Sequence, residues 1–74
     1  MYEVHITNYN SKTQSYTKVI EIFPTEPQAR TRFHRAQADG ISNDDVAWCK
    51  AHVETQQGTI VVPVEYIEKN QPSI

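Results

Sequence analysis

The chain has 74 residues, of which 38% are hydrophobic and 22% charged, and a net charge of −2. That length holds one domain near the lower limit for a core without disulfide or metal reinforcement, and the composition excludes an intrinsically disordered chain. One cysteine excludes an internal disulfide, and the longest apolar run, "TIVVPV", falls far short of the ~20 residues of a membrane helix and contains Pro63. With no signal-like opening, these features lead to the expectation of a protein in a reducing, cytoplasmic setting with no membrane partner.

The first segment, "YEVHITNY", alternates Tyr2, Val4 and Ile6 with Glu3, His5 and Thr7, the period-2 pattern of a half-buried strand. A polar, turn-prone "NSKTQS" follows, and "YTKVIEIF" resumes with β-branched and aromatic residues, so residues 2–23 predict a hairpin. Pro24 closes it. Thr25 then has the chemistry of a helix cap, with Glu26 and Pro27 in the first turn and Gln28 at the capping-box position. A helix is expected from about Glu26 to Ala38, with Gly40 supplying a left-handed stop.

The segment "DVAWCKAHVET" admits two readings. A helix would start at Ser42 and place Val46, Cys49 and Val53 on one stripe, giving ββααβ if residues 43–54 are helical. A strand would put Ala47, Cys49, Ala51 and Val53 on one face, with Val46, Trp48, Lys50 and His52 on the other. The strand is preferred, because "ETQQGT" with Gly58 resembles a hairpin connection into "TIVVPVEYIE", whose Pro63 belongs at an edge. The expected fold is α+β in the order ββαββ, a four-stranded antiparallel sheet with one helix packed on one face. Residues 1–69 form the domain, and 70–74 are expected to be a disordered tail.

The helix offers a narrow apolar stripe of Ala29, Phe33 and Ala36, whereas the second, third and fourth strands carry apolar residues on both faces. One helix cannot cover two faces, and a large exposed apolar patch marks an interface. Trp48 and Val46, and with them Tyr66, are therefore candidate contact residues on the uncovered face.

Arg30, Arg32 and Arg35, the only three arginines, lie within six residues and make the helix a basic island in an otherwise acidic chain. Glu26 can pair with Arg30 and Asp39 with Arg35 at i,i+4 spacing, which leaves Arg32 without an acidic neighbour on the helix. The cluster reads as a solvated helix face or as a contact for carboxylate or phosphate groups. Phe33 is expected in the core, with Arg32 and Arg35 exposed at the basic edge of a partner site. The pattern lacks the second helix of a helix-turn-helix and the aromatic-basic motif of an RNA-recognition sheet.

Cys49 and His52 form a C-x-x-H pair, with His5 and His34 as distant further donors. On a strand, positions 49 and 52 face opposite ways, so neither a zinc site nor a Cys–His nucleophile pair survives. Cys49 is expected to be a small buried hydrophobe, and Asp44 and Asp45 to be loop and cap residues. The chain carries no glycine-rich phosphate loop or hydrolase motif, so no catalytic residue, metal ligand or cofactor is assigned and the expectation is a protein that is not an enzyme.

In the order of its elements, a first hairpin, the capped helix "TEPQARTRFHRAQADG" and a second hairpin turning at "ETQQGT", the chain resembles the small ββαββ inhibitor proteins encoded by phages, some anti-CRISPR proteins among them. The likeness is architectural and carries no functional residue across. It implies a stoichiometric inhibitor that binds a host defence or nucleic-acid-processing complex. The expected function is a non-enzymatic protein-binding module, acting on a host complex or on itself as a homodimer through Arg30, Arg32, Arg35, Val46 and Trp48. A small nucleic-acid-binding regulator using the basic helix, with Arg30, Arg32, Lys12 and Lys18 on phosphates, is the alternative.

Overall fold

In the computed structural model, which describes residues 1–68, the chain forms β1 (Tyr2–Asn10), β2 (Ser15–Phe23), α1 (Glu26–Ser42), β3 (Val46–Thr55) and β4 (Ile60–Glu68). All neighbouring strands are antiparallel, in the order β2-β1-β3-β4. This is the expected ββαββ arrangement, with residues 46–55 as a strand. Each hairpin contributes one central and one edge strand, and the helix carries the chain from one edge back to the middle. The expectation for residues 70–74 lies outside the described residues.

Local chemistry accounts for the connections. The Asn10 side chain accepts from the amides of Lys12 and Thr13, closing the first turn, where Gln14 takes a positive φ of 56°. The second turn places Gly58 at φ 94°, a conformation natural to glycine. Thr25 caps α1 by accepting from the Gln28 amide, as its sequence context predicts. Pro63 falls in β4, an edge strand, beside register shifts in the β3–β4 ladder.

The helix does not stop at Gly40. It runs to Ser42, and Asn43 caps it with its amide on the Asp39 carbonyl. Gly40 is buried inside the helix, where a Cβ would stand 2.7 Å from the Cys49 Sγ. The glycine therefore serves close helix–sheet approach rather than a left-handed stop.

Val4, Ile6, Ala29, Phe33, Ala36, Ala51 and Val53 make the core between α1 and one sheet face. The small side chains at Ala51, Cys49 and Gly40 let the helix lie close to β3, which it touches more than any other strand. Alternation sends Glu3, His5, Thr7 and Tyr9 of β1, and Trp48, Lys50, His52 and Glu54 of β3, to the other face. No described helix covers that second face, as expected.

Val46 departs from expectation. It is 5% exposed, not part of the open face. A register shift between Tyr9 and Asn10 pairs Trp48 with Tyr9 but Val46 with Asn10, so one extra β3 residue is accommodated and the alternation changes parity there. The bulge also leaves Ala47 only partly buried, while Cys49, Ala51 and Val53 keep their expected positions toward the helix.

Candidate functional site

The open face is ordered in rows across the two central strands. In the first row Glu3 lies directly opposite Glu54, in the second His5 opposite His52, in the third Thr7 opposite Lys50, and in the fourth Tyr9 opposite Trp48. The edge strand β2 extends the rows with Ile22, Ile20, Lys18 and Tyr16.

The fourth row is aromatic. Tyr9 and Trp48 are stacked with ring centroids 5.8 Å apart, and Tyr66 of β4 leans on Trp48 at 5.6 Å. Tyr16 extends the row at the β2 edge and is 69% exposed. Tyr66 is half exposed, and partial desolvation together with the adjacent Glu68 carboxylate, to which its hydroxyl donates at 3.3 Å, pushes its phenol above the ordinary value. Exposed aliphatic side chains continue the face away from these rings: Val64 lies two residues before Tyr66, whereas Ile20 and Ile22 extend the second and first rows on β2 and Ile60 lies opposite Glu54 on β4.

Beside the aromatic row, Thr7 is nearly buried with a lysine directly opposite on each side, Lys18 of β2 and Lys50 of β3. These residues, Tyr16, Trp48 and the two histidines line a concavity of about 470 Å³. Its walls are cationic and aromatic, suited to a flat or apolar group carrying negative charge.

The first two rows form a compact polar cluster. The imidazoles of His5 and His52 are stacked at 4.4 Å with planes 17° apart. Both Nε2 atoms converge on one carboxylate oxygen, Glu54 Oε1, at 2.9 and 3.0 Å, and Glu3 Oε1 is 3.0 Å from the His5 Nε2. All four side chains are at most about a quarter exposed. The hydrogen bond from His52 holds the Glu54 carboxyl below its ordinary value, against the raising effect of burial and with help from the charges of His5, His52 and Lys18. Sequence reasoning sought His52 a partner in Cys49 and missed this cluster. The available signal was the mirrored pair "EVH" at 3–5 and "HVE" at 52–54, which an antiparallel ladder aligns residue for residue.

The arginines separate. Arg30 pairs with Glu26 at 2.8 Å, the expected i,i+4 bridge. Arg32, expected to be exposed and without a carboxylate, is instead half-buried and grips Glu21 of β2, Nε on Oε2 at 2.7 Å and a second nitrogen on Oε1 at 3.4 Å. The partner came from a strand, which helical spacing could not reveal. Arg35 is exposed and, among the described residues, in no ion pair; the expected bond to Asp39 is not formed. It lines, with Phe23, Pro27, Thr31 and Arg32, a groove of about 370 Å³ along the helix.

The five candidate partner-binding residues fall on different surfaces. Arg30 and Arg35 lie on the helix, on the opposite side of the sheet from Trp48, while Val46 is buried and Arg32 is engaged within the fold. Only Trp48 stays at the open face. No helix among the described residues is long and apolar enough to cross a membrane. Comparison of the chain with models of protein families, with curated proteins and with solved structures found no match.

Proposed function

We propose that this chain is a non-enzymatic protein-binding module whose contact surface is the open sheet face. The observation that carries the reading is the aromatic group Tyr16, Tyr9, Trp48 and Tyr66 at one end of a face that no described element covers, with exposed Val64 beside it and Ile20, Ile22 and Ile60 exposed toward the other end of the sheet. Clustered aromatic anchors are typical of interface centres, and exposed aliphatic side chains on the same face extend the apolar surface. Four strands at ~4.8 Å spacing and about nine residues at ~3.3 Å give a footprint of roughly 570 Å², which standing side chains raise toward the ~800 Å² per partner of a stable interface.

Lys18 and Lys50 beside the aromatic row give the partner its chemistry: an apolar protein surface with a carboxylate that enters the concavity over Thr7. The architectural likeness to phage-encoded inhibitors supports a stoichiometric inhibitor of a host complex, acting in the cytoplasm. The test compares affinity capture by the native chain, by Ile20→Lys/Tyr66→Lys and by Arg30→Glu/Arg35→Glu, after circular dichroism has shown each to be folded. A partner lost with the sheet variant and kept with the helix variant supports the reading. Equal retention by the sheet variant overturns it, and sedimentation of the native chain alone distinguishes a second copy from a different protein.

A second reading rests on the same neighbourhood of rings and lysines. Exposed aromatics beside Lys18 and Lys50 could stack bases of a single strand and contact its phosphates, so the sheet rather than the helix would bear a nucleic acid. Fluorescence anisotropy with labelled single-stranded DNA and RNA over a salt series decides it: steep loss of affinity with salt, together with Trp48 quenching, supports it, and no binding at low salt removes it.

A further inference from the structure

We propose that His5, His52 and Glu54 form a binding site for a divalent transition metal ion of the zinc class, with Glu3 beside His5 at its edge. The reading is independent of which partner the aromatic row contacts.

Three observations converge. First, one donor atom from each of His5, His52 and Glu54 lies within 4.8 Å of the others. The individual separations of 2.9 and 3.0 Å are a few tenths of an ångström short of the ~3.3 Å between ligands around a tetrahedral ion with bonds of ~2.0–2.1 Å. A small withdrawal of the Glu54 carboxylate, at the end of a flexible side chain, makes room for the ion.

Second, the backbone presents the donors in a fixed frame. His5 and His52 are directly opposite on the two central strands, and Glu3 and Glu54 are opposite in the next row of the same face. Central strands are the most restrained part of a sheet, so the imidazoles are held near one another before any ion arrives.

Third, the charges ask for a cation. Two carboxylates directly opposite on adjacent strands repel, and Glu3 and Glu54 stand in that relation on a half-buried surface. A dication between the histidines compensates both at once. Imidazole and carboxylate donors favour zinc, nickel or copper over magnesium and calcium. Three protein donors with water in the fourth position leave the ion accessible from the open face.

Calorimetric titration of the full chain with zinc chloride after chelator treatment, repeated with nickel, tests the assignment. The expected result is one ion per chain, with affinity weakened at least about tenfold by each of His5→Ala, His52→Ala and Glu54→Gln, and less by Glu3→Gln. Cys49→Ala, at the single cysteine, and His34→Ala, at the remaining histidine, should bind as the native chain does. Nitrogen-15 spectra of the folded native protein provide a readout independent of variant stability: zinc should shift the ring resonances of His5 and His52 and leave those of His34 in place. Absence of zinc and nickel binding at millimolar concentration, or an affinity left unchanged by loss of either histidine, overturns the proposal.

Discussion

Gly40 and Cys49 meet where α1 crosses β3: a Cβ at residue 40 would stand 2.7 Å from the cysteine Sγ and 3.2 Å from its Cβ. Gly40→Ala gains up to ~1 kcal/mol of helix propensity, but overpacking costs ~1–3 kcal/mol, so the substitution should destabilise. In a Cys49→Ala background the sulfur is gone and the penalty should shrink. Urea denaturation of the four members of this cycle measures the coupling; an equal penalty in both backgrounds would show that the contact does not set the helix position.

Phe33 is 1% exposed and is among the largest fully buried side chains in the core. Phe33→Ala should cost ~3–5 kcal/mol, a large share of the stability of a small domain, whereas Phe33→Leu should be far milder. Denaturant midpoints of the two variants check the order.

The Arg32–Glu21 pair should distinguish itself from the remaining arginines. Its side chains are 28% and 37% exposed, so solvent screens much of the attraction, and Arg32→Ala should cost about 1 kcal/mol. Arg32→Glu, which sets two carboxylates together, should cost more. Arg35→Glu should stay within about 0.5 kcal/mol. Equal thermal midpoints for the Arg32 and Arg35 reversals would remove the bridge from the account of stability.

In chelator-treated protein, Glu54 sets an acid limit. Its carboxyl is held below the ordinary 4.5, chiefly by the hydrogen bond from His52, in surroundings that include His5, Glu3 and Lys18. A lowered folded value means that the unfolded chain takes up the proton first. The stabilisation is therefore complete above pH 4.5 and drains away as pH falls through the lower folded value. His52→Ala should flatten this part of the stability–pH curve, as followed by denaturation at a series of pH values; an unchanged slope would assign the acid sensitivity to other carboxylates.

Much of this architecture was legible in the sequence because it depends on local rules. Alternation in "YEVHITNY", β-branched composition in "TIVVPVEYIE" and the chemistry of Thr25 and Gln28 predict elements without reference to distant residues. The narrow helix stripe likewise implied that one sheet face would stay uncovered. What the tertiary structure decided was relative placement. Strand register brought "EVH" and "HVE" into alignment and made a four-residue cluster from segments nearly fifty positions apart. A single bulge turned Val46 inward, Glu21 of a neighbouring strand occupied Arg32, and Cys49 across the interface gave Gly40 its role. Periodicity assigns a side chain to one of two faces, but only the pairing of strands and the docking of the helix determine which distant groups share that face and at what distance.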